Sequence, residues 1–108
     1  MNIEFHTHGR LMKEWVVEYV REYLVQLNDV YGNISRAHVH FREETSDGSN
    51  ERVCEIELTI FGISLFVHHR CDSYAQAAKQ VLLTLGEKIE EILSTQHEPQ
   101  EVLTTVKI

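Results

Sequence analysis

Seven histidines in a chain of 108 residues are many, and their spacing is less random than their number. His6 and His8 form one His-x-His pair, and His38 and His40 form another. If each pair lies in an extended segment, its two imidazoles leave the same face, because side chains alternate along a strand. Two such pairs on neighbouring strands place four nitrogen ligands together, a donor set that suits zinc, nickel or copper. Glu55, Glu57 and His68 project to that same face from their own segments. The competing reading is a merely solvated polar face, since Arg36, Arg42 and Arg70 interleave with these groups and repel a cation. Imidazoles titrate near neutrality, so the face is also a candidate pH-sensitive or self-associating surface. Phe61, Phe66 and His68 are the interface candidates there, because large exposed aromatics mark contacts, and the partner they imply is a second copy of the chain.

For catalysis the residues offer little. No GxSxG, P-loop, GxGxxG or HExxH string occurs, no cofactor is expected, and the chain is read as a non-enzyme. Cys71, beside His68, His69 and Arg70, is the one arrangement suggesting an activated thiol. A strand sends adjacent side chains to opposite faces, so His69 and Arg70 cannot both serve it. Cys54 and Cys71 lack CxxC spacing and the density of a disulfide scaffold, and are read as two reduced thiols.

The elements that must position these groups follow from periodicity. Asn2 to Phe5 alternates as a half-buried strand, with Ile3 and Phe5 on one side and Glu4 and His6 on the other. From Leu11 to about Val30, Met12, Trp15, Val16, Tyr19, Val20, Tyr23, Leu24 and Leu27 recur at three- and four-residue spacing, the apolar stripe of a helix. Tyr31-Gly32-Asn33 supplies its stop. Ile34 to Arg42, Arg52 to Phe61 and Ile63 to Arg70 alternate as three strands. Thr45 to Asn50 reads as a polar loop between the first two, and Gly62 as a tight turn between the last two. Asp72 or Ser73 caps a second helix from Tyr74 to about Leu93, which buries Ala77, Ala78, Val81, Leu82, Leu85, Ile89 and Ile92 and is weakened at Gly86.

Only one face of these strands is consistently apolar, so both helices are expected on it and the opposite face is left to solvent. The prediction is an α+β domain over 1–94, β-α-β-β-β-α, with a four-stranded sheet whose first two strands are parallel if adjacent. Residues 95–108 are expected to be a tail whose 101–108 segment has strand composition and could pair with a sheet edge.

Length and a 43% hydrophobic content allow one modest core. The N-terminus lacks the basic start and apolar run of a signal peptide, and no apolar stretch nears the roughly 20 residues that span a bilayer. A cytoplasmic protein with no membrane partner is the expectation. The formal net charge of −7 opposes the basic field that nucleic-acid binders present, and DNA is not expected as a partner.

The element order, together with Met1-Asn-Ile-Glu-Phe5, the helix pattern Val20 to Leu27 and the Asp72-Ser-Tyr-Ala75 opening of helix two, resembles the ribosome hibernation-promoting factors, also known as sigma-factor modulation proteins or ribosome-associated inhibitors. That resemblance implies a factor without chemistry whose helices dock basic residues on small-subunit ribosomal RNA, blocking messenger and transfer RNA. Aligned on Val20 and Leu24, the family's basic positions of helix one fall on Val17, Tyr23, Gln26 and Asp29, and helix two keeps Lys79 and Lys88. The RNA-binding candidates are therefore Arg10, Lys13, Arg21, Lys79 and Lys88, each as a phosphate contact. The alternative is a diverged relative that no longer binds RNA and acts as a protein-interaction module.

Overall fold

The computed structural model describes residues 1–7 and 12–106. The alternating segments form β1 (Asn2–Thr7), β2 (Ile34–Ser46), β3 (Ser49–Ile60) and β4 (Ile63–Cys71), and the 3.6-residue patterns form α1 (Glu14–Tyr31) and α2 (Tyr74–Val106). One sheet has the spatial order β1-β2-β3-β4, as the α+β reading requires. β1 runs parallel to β2, and β2, β3 and β4 form an antiparallel meander. Both helices cover one face. Val16, Val20, Leu24 and Leu27 of α1 and Ala77, Val81, Leu85 and Ile89 of α2 pack there against Ala37, Val39, Phe41, Ile56 and Leu58.

Several local outcomes differ from the sequence reading. β2 and β3 extend until only Asp47 and Gly48 separate Ser46 from Ser49, replacing the expected six-residue loop. Asp47 (φ 51°) and Gly48 (φ 80°) both take the left-handed conformation that type I′ hairpin turns demand. Phe61 (φ 52°) and Gly62 (φ 74°) form the second turn in the same way. An aromatic residue in that region costs about 1 kcal/mol, and packing of the Phe61 ring against the core offsets it.

Trp15, expected inside, is 54% exposed, because the buried stripe of α1 is narrow and starts one residue later at Val16. Ile92 is only partly covered. α2 does not end near Leu93 but continues through Gly86 and Pro99 to Val106, so Glu101–Val106 is helix and not the expected strand. Lys107 and Ile108 lie outside the described residues.

Candidate functional site

The outer face of the sheet is built by strand register. His6 stands opposite His40, Glu55 and His68, one residue from each strand. The neighbouring row is Glu4, His38, Glu57 and Phe66. The His6 and His40 rings stack with centroids 4.5 Å apart, and His6 and His38 lie at 6.0 Å. One carboxylate oxygen of Glu4 lies 3.4 Å from Nε2 of His38 and 3.7 Å from Nε2 of His6. The structure thus brings together three of the four histidines singled out in the sequence; His8 lies outside the described residues. It adds Glu4, which the same alternation could have flagged.

Beyond this cluster Arg42 and Arg70 are tied down by carboxylates, whereas Arg36, next to His38 along β2, is exposed. Arg42 pairs with Glu44, at 2.9 Å, and with Glu55, while Arg70 reaches the other Glu44 oxygen at 3.0 Å. Beneath them Val53, in register with both arginines, is wholly buried although it lies on the face away from the helices. Phe66 is 56% exposed and lies 6.0 Å from the His68 ring. Phe61 does not join them. Its N–H donates to the Asn33 carbonyl at 3.2 Å and its ring packs on the core, which separates it from the other two interface candidates.

On the helical side, the starts of α1 and α2 flank a groove of about 370 Å³ lined by Lys13, Trp15, Val16, Arg52, Asp72, Ser73, Tyr74 and Ala75, so one carboxylate stands beside its two cations. Ser73 opens α2 as an N-cap, its hydroxyl accepting from the Gln76 N–H at 3.2 Å. Arg52 Nη1 donates to the Asp72 carbonyl at 3.0 Å, and the guanidinium lies 6.0 Å from the centre of the Tyr74 ring. Tyr74 is wedged edge-on to Phe41. Burial, then the Glu43 carboxylate, raises its phenol above the ordinary range, opposed by Arg52. Two cations beside an exposed indole can receive a phosphate and a flat apolar ring. Neither the placement of Arg52 nor the exposure of Trp15 was legible in the sequence, because a single arginine in a strand carries no pattern and the indole fitted the core periodicity.

The remaining basic candidates are spread out. Arg21 pairs with Glu18 and stacks 5.0 Å from the Phe5 ring centre. Lys79 is exposed and Lys88 half-buried, ~14 Å further along the α2 axis at 1.5 Å per residue. Arg10 lies outside the described residues. α1 itself carries Glu14, Glu18, Glu22 and Asp29 against the single Arg21. At its far end Tyr31 donates to Glu90 of α2, and that hydrogen bond raises the phenol's pKa.

The thiols are set against reactivity. Burial, followed by the carboxylates of Asp72 and Glu51, raises the Cys71 pKa, and His69 Nε2 is hydrogen-bonded to the Thr84 hydroxyl at 3.0 Å. Burial pushes the Cys54 thiol up to about 12. Both are free. Among the described residues no helix is long and apolar enough to cross a membrane.

No protein-family model matches the sequence, and no curated protein is significantly similar to it. Solved structures do match. A ribosomal subunit interface protein from Coxiella burnetii superposes with a TM-score of 0.70 at 13% identity, over 87% of this chain and 99% of that one. The N-terminal domain of Protein Y from Thermus thermophilus gives 0.67 at 17% identity, over 85% of this chain and 99% of its own. At such identities the likeness is one of fold, in line with the resemblance read from the sequence: this chain shares the architecture of a ribosomal subunit interface protein and of the Protein Y N-terminal domain.

Proposed function

We propose that this chain is a non-enzymatic, ribosome-associated factor of the hibernation-promoting type that docks on small-subunit ribosomal RNA by its helical side. The observation that carries the reading is the fold shared over 87% of the chain with a protein named for the ribosomal subunit interface. The groove at the start of the two helices supplies the chemistry. Lys13 and Arg52 offer phosphate contacts, Trp15 offers a stacking surface, and Lys79 is a further exposed cation on α2, apart from the groove. Arg10, Arg21 and Lys88 are supplementary phosphate contacts in this reading.

A second reading is favoured by the acidic surface of α1. Four carboxylates against one arginine repel phosphates, and a relative that has exchanged RNA for a protein partner fits that charge. In that case the exposed Phe66 on the sheet is the natural contact, including with a second copy of the chain.

Co-sedimentation with the small ribosomal subunit at rising salt separates the two. Phosphate docking gives pelleting that weakens steeply with ionic strength, is lost in a Lys13→Glu/Lys79→Glu variant and is weakened by Trp15→Ala alone. A protein that stays in the supernatant at low salt overturns the RNA reading in favour of the interaction module.

A further inference from the structure

We infer that the outer face of the sheet is a transition-metal site, in which His6, His38 and His40 bind one zinc-class divalent ion and Glu4 supplies the fourth ligand. The ligating nitrogens of the three histidines all lie within 4.8 Å of one another. A tetrahedral zinc with bonds of about 2.0–2.1 Å needs its nitrogens roughly 3.4 Å apart with their lone pairs converging. The stacked His6 and His40 rings must therefore turn towards the ion and the Glu4 carboxylate must swing in to join them, while the strands stay in place. Backbone hydrogen bonding fixes the frame. β1 and β2 are adjacent and parallel, His6 is in register with His40, and Glu4 is in register with His38. The four donors therefore form a two-by-two block on neighbouring strands.

Charge supports the same assignment. One Glu4 oxygen already approaches Nε2 of both His6 and His38, where it offsets the charge of a bound cation. Of the two cations that flank the histidines along β2, Arg42 is drawn away by Glu44 and Glu55, while Arg36 stands beyond His38 at the exposed end of the block, in register with Asn2. Three imidazoles and one carboxylate favour zinc, copper or nickel over calcium or magnesium, which prefer all-oxygen shells. Side-chain exposures of 43% for His6, 24% for His38 and 48% for Glu4 leave the ion a path from solvent.

The test is calorimetric titration of untagged full-length protein with zinc chloride in a non-chelating buffer. One zinc per chain is expected, with affinity falling more than about tenfold in His38→Ala and in His6→Ala, a loss at least as large as outer-shell changes cause. His68→Ala, on the same face but two strands from the block, is expected to bind as the parent does. Circular dichroism of each variant confirms that the fold is kept, and Glu4→Gln tests the carboxylate without removing a ring. Absence of saturable uptake, equal uptake by the His6→Ala/His38→Ala/His40→Ala triple variant, or one zinc per two chains each overturns the assignment.

Discussion

The strands of this sheet present two faces of opposite construction. On the covered face Ala37, Val39, Phe41, Ile56 and Leu58 are wholly buried beneath the two helices. On the other face the same strands carry His38, His40, Arg42 and Glu55, held by ion pairs and ring contacts, with Glu57 exposed beside them. Apolar burial at about 25 cal/mol per Å² fixes the first face, whereas exposed ion pairs contribute little. Stability thus depends on one face and leaves the other free to carry charge and ligands. Val53 is the exception, a wholly buried residue on the polar side.

That contrast can be broken or sharpened by substitution. Ile56→Ala, in the middle of the covered face, is expected to cost roughly 2–5 kcal/mol, read as a lowered denaturant midpoint. A loss below 1 kcal/mol would mean that the helices are not firmly seated. Alkaline pH probes the same face through Cys54. Burial pushes the native thiol up to about 12, above the ordinary value of 9.0, so the unfolded chain loses that proton first. Its contribution is complete below pH 9 and is lost as pH rises towards 12, in all about 4 kcal/mol by linkage. Cys54→Ala should flatten that alkaline limb in a stability profile.

Val53→Ala tests the exception. Its lid consists of side chains that can settle into the space, so about 1 kcal/mol is expected, well under the cost at Ile56. Equal costs would show that the arginine layer packs as tightly as the helices do. Phe66→Ser should change stability by less than about 0.5 kcal/mol, since the ring is largely exposed. Analytical ultracentrifugation of the same variant shows whether that ring instead holds two copies together.

Much of this was legible in the sequence where one period ran undisturbed. Alternation in β1, β2 and β3 set both faces, placed both helices on the apolar one, and put His6, His38 and His40 on the other. Periodicity fails at element ends, and there the reading missed. Phe61 fits the strand pattern, yet its left-handed backbone turns the ring inward. Trp15 fits the helix pattern, yet it falls just before the buried stripe begins. Arg52 acquires meaning only from the Asp72 carbonyl and the Tyr74 ring, which a distant part of the chain provides.

The route by which β1 enters the sheet has a kinetic consequence. β2, β3 and β4 are joined by two-residue turns, while β1 reaches β2 only across an intervening helix, pairing Asn2 with Arg36. Short closures are fast and long ones slow, so the meander is expected to assemble first and β1 to dock late. His6 arrives with β1, whereas His38 and His40 are already in place on β2. A metal held by all three would therefore act after the folding barrier, leaving the folding rate nearly unchanged and slowing the detachment of β1 on the way out.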